Sequence, residues 1–363
     1  MITSILILLA LTVPAGILYT RKSPQFGGRP SSEDLDRYSR SPQWKDGVFL
    51  NRSLTTMDVS LWSMPGLLKE FLSGRKNRQP PEPLIIERLD SDQFHDGKDK
   101  FIWYGHSTVL FRVSGKNILV DPMFGPDASP IGPLRTPRFS KSSLDLIDDL
   151  PQLDLILLTH DHYDHLDYAS IQKLKNKTSE FWVALGLKRH LDKWGVPKDQ
   201  IKEFDWWEES QLGALRIVFT PSRHFSGRGL FDRSKSLWGG WGIISENRKI
   251  YWSGDGGYDS HFSEIGAKYG PFDWGFMECG QYNEKWHQIH MYPEEAVLAS
   301  QEALVKTAVP VHWGAFSLAL HDWTDPIVRF SGEASEKKLK GCYPRLGQIV
   351  TVGKEPSEPW WEL

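Results

Sequence analysis

The sequence predicts a layered α/β sandwich, two sheets packed together with helices outside. Three observations predict it. From Phe101 onward, β-type runs come first and are followed by strands alternating with helical segments, the order that suits two covered sheets. Composition supplies a core: 40% of the 363 residues are apolar and 25% charged, the balance of a globular chain with one large domain or two ordinary ones. Ionisable residues gather just beyond apolar runs, where strands end.

The first strands are read at Ile102-Trp103-Tyr104 and Val109 to Val113, separated by Gly105-His106-Ser107. Ser114-Gly115-Lys116-Asn117 is a hairpin turn leading into Ile118-Leu119-Val120 and Asp121-Pro122. Leu155-Ile156-Leu157-Leu158 is short, wholly apolar and followed by polar residues, hence a buried strand. Asp167 is a good N-cap for a helix from Tyr168 to Leu174. Phe181 to Leu185 is a further strand and Leu187 to Trp194 a helix. Strands follow at Leu215 to Thr220, Gly240 to Ile244 and Ile250 to Trp252, then a helix within Gly256 to Tyr269 and a strand at Trp274 to Met277. Pro293 to Leu304 is a helix marked by Pro in its first turn and by Glu294 and Glu295 near its positive end. Ala308 to Val311 is a strand, Pro326 to Leu339 a helix, and Gln348 to Val352 the closing strand.

The chain divides into an apolar N-terminal segment over 1–22, an irregular lead-in over 23–83 and a main domain over 84–363. Ile2 to Tyr19 is almost wholly apolar and uncharged, and Arg21 and Lys22 follow. At about 1.5 Å per residue it just spans a hydrocarbon core of roughly 30 Å. A cleaved signal carries positive charge before its apolar part, and there is none here. The reading is therefore an uncleaved membrane anchor over 2–19, with the main domain on the cytoplasmic side; an export signal is the alternative. The lead-in is rich in Gly, Pro, Ser and Arg, with a short amphipathic helix around Leu67 to Leu72. The sequence leaves open whether it packs on the main domain or touches lipid. A net charge of −3 gives no basic footprint, so nucleic acid is not expected as a partner. Cys279 and Cys342 are too few for a disulfide framework and form no Cys-x-x-Cys pair.

Chemistry concentrates after the strand at 155–158. Thr159-His160-Asp161-His162-Tyr163-Asp164-His165-Leu166-Asp167 places three imidazoles and three carboxylates within eight residues. A single His at a strand end more commonly serves packing. Burying this many ionisable groups together is costly without a compensating cation, so the cluster points to metal. Imidazole nitrogen and carboxylate oxygen suit zinc, and also iron or manganese. Three more candidates follow strands in the same way: His224 after Phe219-Thr220-Pro221-Ser222-Arg223, Asp255 after Tyr251-Trp252-Ser253-Gly254, and His312 after Val309-Pro310-Val311.

The segments just quoted, with Trp103 to Thr108, Leu119 to Phe124, Asp205-Trp206-Trp207-Glu208-Glu209, Leu237-Trp238-Gly239-Gly240-Trp241 and Val311-His312-Trp313-Gly314, resemble the metallo-β-lactamase superfamily. More narrowly they resemble the phospholipases D that hydrolyse N-acyl-phosphatidylethanolamine and their bacterial relatives. The resemblance runs from about residue 95 to 330. It implies a four-layer αβ/βα sandwich with two zinc ions. One would sit on His160, His162 and His224, the other on Asp164, His165 and His312, with Asp255 bridging. His106, Asp121 and His290 are candidates for holding ligand imidazoles from behind. Two such cations, roughly 3.5–4 Å apart, activate water and neutralise developing oxyanion charge. Asp164 is further expected to orient the nucleophile.

The function so implied is cleavage of N-acyl-phosphatidylethanolamine or a similar phospholipid to phosphatidic acid and an N-acylethanolamine. One alternative keeps the metals and hydrolyses a small lactone or phosphorylated sugar. Another, of a different class, is a non-catalytic, membrane-anchored metal-binding scaffold. The sixteen Trp favour an apolar pocket over a polar sugar site. Glu278-Cys279-Gly280-Gln281-Tyr282 is more polar than the corresponding phospholipase segment, in a region where substrate contacts are expected.

Overall fold

The computed structural model describes residues 16, 18–59, 65, 66, 69, 77–130, 135–229 and 231–362. The expected anchor at 2–19 lies outside these apart from Gly16, Leu18 and Tyr19, and the expected helix at 67–72 lies outside them apart from Lys69. Among the described residues no helix is long and apolar enough to cross a membrane.

A two-stranded hairpin, β1 (Trp44–Lys45) and β2 (Val48–Phe49), precedes the main sheets. The chain then lays down β3 (Lys100–Trp103), β4 (Val109–Val113), β5 (Lys116–Val120), β6 (Leu153–Leu158), β7 (Thr178–Ala184) and β8 (Ile201–Phe204). These form a seven-stranded sheet closed by the last strand of the chain, in the order β16-β3-β4-β5-β6-β7-β8, with β16 at Ile349–Thr351. The second half supplies β9 (Glu209–Leu212), β10 (Leu215–Thr220), β11 (Gly240–Ile244), β12 (Lys249–Trp252), β13 (Phe272–Glu278), β14 (Val305–Val311) and β15 (Lys340–Gly341). They form a second sheet in the order β15-β14-β13-β12-β11-β10-β9. The expected α/β sandwich is the fold observed.

The sheets meet through aromatic side chains. Phe101 on β3 sits 5.0 Å from Trp274 and 4.9 Å from Phe276 on β13, and Phe111 on β4 is 4.9 Å from Phe276. These edge-to-face contacts fill space between strands that are buried on both faces, as Leu155-Ile156-Leu157-Leu158 is in β6. Ten of the sixteen tryptophans are buried, Trp103, Trp182, Trp238, Trp241, Trp252, Trp274 and Trp313 fully, so most of the tryptophan content is core.

The lead-in packs on this body. Ser32–Tyr38 is a helix with a capping box between Ser31 and Asp34, inside a stretch that the sequence predicts to be irregular. Tyr38 and Phe49 are buried in the same core as the sheets.

Candidate metal centre

Strand direction gathers the site. β3 and β5 both run antiparallel to β4, and β6 runs parallel to β5, so all three end at one edge of the first sheet. β10 and β12 both run antiparallel to β11, and β13 and β14 continue parallel to β12. The residues that follow these strands therefore emerge at common edges: His106, Asp121 and the 160–165 loop from one sheet, His224, Asp255 and His312 from the other. The two edges meet. His106 N–H donates to Trp313 O at 2.8 Å and His312 N–H to His106 O at 2.9 Å.

The seven candidate ligands converge. The ligand atoms of His160, His162 and His224 lie within 4.8 Å of one another, as do those of His106, Asp164, His165 and His312. Asp255 joins His160 and His165 in a third such group, between the first two. Its Oδ2 is 3.0 Å from His165 Nε2, 3.8 Å from His160 Nε2 and 3.9 Å from His224 Nε2, while Oδ1 is 3.2 Å from His312 Nδ1.

The protons available to these atoms are too few, which fits a cation among them. His224 Nδ1 donates to Ile289 O at 2.9 Å, which leaves Nε2 as a bare lone pair. Thr159 Oγ1 donates to Asp121 Oδ2 at 2.7 Å and so accepts from His160 Nδ1 at 2.9 Å, which leaves His160 Nε2 bare as well. Both lone pairs face His162 Nδ1, at 3.1 and 3.0 Å. One proton at most serves three nitrogens there. Asp255 Oδ1 and His312 Nε2 are buried with no hydrogen-bond partner among the described residues. A divalent cation satisfies all of these atoms, and nitrogen with carboxylate oxygen is the donor set for zinc, iron or manganese.

Electrostatics agree. Burial pushes His160, His162, His224 and His312 below the ordinary imidazole range, so the rings are neutral, the form that ligates. For Asp255 and Asp164 burial acts to raise the pKa, but the surrounding imidazoles, His165 foremost, outweigh it and hold both well below the carboxylate range. Burial lowers His165 in turn, yet Asp255, Asp164 and Asp121 together raise it well above its usual value. The cluster is a buried, anionic nest.

The supporting residues divide. Asp121 does hold a ligand imidazole: its Oδ2 accepts from His165 Nδ1 at 2.9 Å, and its Oδ1 accepts from Thr159 N–H at 2.9 Å. His106 instead donates from Nε2 to a carboxylate, Asp164 Oδ2, at 2.7 Å, and packs its ring 4.1 Å from that of His312. His290 holds no ligand imidazole by a hydrogen bond either. Its Nδ1 donates to Glu278 Oε1 at 2.8 Å and its ring stacks 5.2 Å from His312. Both corrections have one cause: a carboxylate is the stronger acceptor and lies in reach of each ring. His106, Asp121 and His312 all have positive φ, at 52°, 42° and 68°. Left-handed backbone is uncommon for side chains of this kind and is tolerated where the surroundings over-determine it.

Several participants were missed from sequence. Thr159 couples Asp121 to His160, and Ser107 Oγ lies 3.1 Å from His312 Nδ1. Asn51, in the lead-in, grips the backbone of His224 from both sides, donating to its carbonyl at 2.7 Å and accepting from its N–H at 3.1 Å. Thr159 and Ser107 each adjoin a candidate His, a signal in the sequence; Asn51 has no such signal.

Above the ligands lies a cavity of about 220 Å³. His162, Asp164, Asp255, His290 and His312 line its polar side, and Met57, Phe225, Trp286, Ile289 and Leu318 its apolar side. Gln281, from the segment noted as unusually polar, lines it too.

A sandwich that gathers histidines and aspartates from both sheets beneath an open cavity defines a metal-dependent hydrolase. The chain belongs to the beta-lactamase superfamily: residues 116–313 match the family model described as the beta-lactamase superfamily domain. It is 36% identical over 332 residues to an uncharacterized protein of Mycobacterium tuberculosis, an alignment covering 89% of this chain and 88% of that one. It is 32% identical over 253 residues to N-acyl-phosphatidylethanolamine-hydrolyzing phospholipase D 1 of Caenorhabditis elegans, covering 66% of this chain and 71% of the relative. Among solved structures, the metallo hydrolase Igni18 of Ignicoccus hospitalis superposes with a TM-score of 0.55 at 23% identity, over 70% of this chain and 98% of that one.

Proposed function

We propose that the chain is a zinc-dependent phosphodiesterase that cleaves N-acyl-phosphatidylethanolamine, or a phospholipid like it, to phosphatidic acid and an N-acylethanolamine. The observation that carries this reading is the 32% identity over 253 residues to the worm enzyme named for that reaction. His160, His162 and His224 would hold one ion and Asp164, His165 and His312 the other, with Asp255 common to both. Divalent ions held there supply Lewis acidity at phosphoryl oxygens and lower the pKa of water.

The side chains have separable tasks. Asp164, whose Oδ2 is fixed by His106 at 2.7 Å, takes the proton of the attacking water. The water oxygen bonds to phosphorus, and the bond from phosphorus to the ethanolamine oxygen breaks. His290, whose Nδ1 is committed to Glu278, has Nε2 left to return a proton to that oxygen. Burial lowers the pKa of His290, but Glu278 outweighs it and raises the pKa, which keeps the proton available. Met57, Phe225, Trp286 and Leu318 suit an acyl chain at the mouth. The apolar sequence at 2–19 suits an anchor for work on a substrate held in a bilayer.

The test is to incubate the purified, zinc-loaded chain with a phospholipid panel and weigh the products. Equal amounts of phosphatidic acid and N-acylethanolamine are expected; free fatty acid or diacylglycerol in their place would overturn the reading. The cavity volume favours a second reading. About 220 Å³ lies below the roughly 300–1,000 Å³ common for ligand sites, which suits a compact lactone or phosphorylated sugar. Turnover of those esters with none of the lipids would select it.

A further inference from the structure

We propose that the protein carries a second binding site, a basic cavity that takes the phosphate headgroup of an anionic phospholipid in a bilayer. The inference is independent of which ester the metal centre cleaves. The cavity measures about 760 Å³ and is lined by Arg21, Arg29, Arg189, Lys193 and Lys235, with Asp232 as the one carboxylate among its lining residues. Five cations against one anion in a single cavity run counter to a chain whose net charge is −3.

Arg189 is buried and paired with Asp161 at 3.4 Å, whereas the other four cations are not consumed by local ion pairing. Arg21 and Arg29 are exposed and form no ion pair among the described residues. Lys193 Nζ donates to Gly27 O at 2.7 Å, and Lys235 Nζ to Gly47 O, so both meet neutral carbonyls. Asp232 is turned to backbone, accepting from Gly229 N–H at 2.7 Å and from Arg228 N–H at 3.2 Å. Burial and the neighbouring charge of Arg29 both lower the pKa of Lys193, a strain that a bound anion relieves. A phosphate diester is the ligand class that several converging Arg and Lys donors recognise.

What selects a lipid over a soluble phosphate is the apolar surface around the cavity. Phe231, on its lining, is 81% exposed; Leu35, also on the lining, is exposed, and so is Tyr19, whose ring lies 5.7 Å from that of the lining residue Phe26. The apolar run of the sequence ends at Tyr19, two residues before Arg21. Apolar side chains ringing a basic pocket match the layered chemistry of a membrane surface, where each basic residue near an anionic leaflet contributes independently. The position is also apt. One loop serves both cavities, Phe225 lining the metal centre and Gly229, Phe231 and Asp232 the basic one, so docking here brings the catalytic mouth towards the bilayer.

The experiment is co-sedimentation of the full chain with phosphatidylcholine vesicles, with and without phosphatidylglycerol. The native chain is expected to bind the anionic vesicles more tightly. R29Q/K193Q is expected to weaken that binding about thirtyfold, while its binding to pure phosphatidylcholine, its circular dichroism and its turnover of detergent-dispersed substrate stay native. R29Q alone, which removes no hydrogen bond, should show part of the loss, and K354E on the opposite edge of the first sheet none. Equal binding of the native chain to both vesicles overturns the proposal, as does native affinity in R29Q/K193Q. Displacement from vesicles by glycerol phosphate as effectively as by dispersed phosphatidylglycerol also overturns it, since the site would then take soluble phosphate.

Discussion

Asp161 sits between two ligand histidines and orders the loop that carries them. Its Oδ1 accepts from Gly227 N–H at 2.6 Å, and its Oδ2 from Ser236 Oγ at 2.6 Å, His190 Nε2 at 3.2 Å and Arg189 at 3.4 Å. Burial acts to raise its pKa, but His190, Arg189 and Ser236 outweigh it and hold the carboxyl well below the ordinary range. A depressed folded pKa means that its stabilisation is complete above the unfolded value of about 3.9 and is lost as pH falls towards the folded one. Asp161→Asn is therefore expected to cost stability at neutral pH, by about 3 kcal/mol as for breaking a buried ion pair, and to lose less than the native chain on acidification. Urea titrations at pH 7 and at pH 3 to 4 check both. The same variant should weaken metal binding about ten- to a hundredfold, the usual effect of disturbing what holds a ligand. Asp255 is a different case, because its two oxygens reach both groups of imidazoles. Asp255→Asn should reduce turnover by more than about a hundredfold, beyond the range for outer supports, with the fold retained by circular dichroism. Turnover near the native rate would remove Asp255 from the centre.

At the level of elements, strands with apolar runs were legible and strands defined by their neighbours were not. β6 and β10 follow from Leu155 to Leu158 and Leu215 to Thr220, because burial on both faces demands continuous apolar sequence. Glu209–Leu212 is mostly polar, and only its antiparallel register with β10 makes it a strand. Lys340–Gly341 is two residues long and exists through pairing with Thr307 and Ala308. The site was legible to the same extent: each ligand follows a strand, whereas Asn51 and Met57 reach it from a lead-in without hydrophobic periodicity. That lead-in is tied down by close contact. A Cβ on Gly28 would stand 2.0 Å from Arg189 O, and Gly28 N–H donates to His190 Nδ1 at 3.1 Å, the ring whose other nitrogen reaches Asp161. Arg228 adds a second tie, donating to Gln25 O at 2.7 Å and to Asp161 O at 2.7 Å. Gly28→Ala forces backbone apart and is expected to lower stability by about 1–3 kcal/mol, read as a drop in thermal midpoint. A native midpoint in that variant would mean that the segment is not packed as described.

For the whole molecule, the metal centre is a joint between halves. The first sheet sends His160, His162, Asp164 and His165 to it, and the second sends His224, Asp255 and His312, so ions held there add a cross-link to edges already joined by the backbone hydrogen bonds between His106 and the 312–313 segment. Without a cation, the lone pairs of His160 and His224 both face His162 Nδ1 with at most one proton among them, which leaves the joint unsatisfied. Bound metal therefore stabilises the fold as a ligand of the native state does, by about 4 kcal/mol when free metal exceeds the dissociation constant a thousandfold. Chelation should lower the unfolding midpoint and raise amide exchange at the ends of β6, β10, β12 and β14 together, since one joint serves both sheets. Exchange at the edge strand β8, two places from β6 in the order of the first sheet, should change less. Readdition of zinc, manganese and ferrous iron in separate samples then ranks the ions by recovered midpoint, without reference to any substrate. Loosening confined to one sheet would contradict a shared centre and would assign the ligands to one half alone.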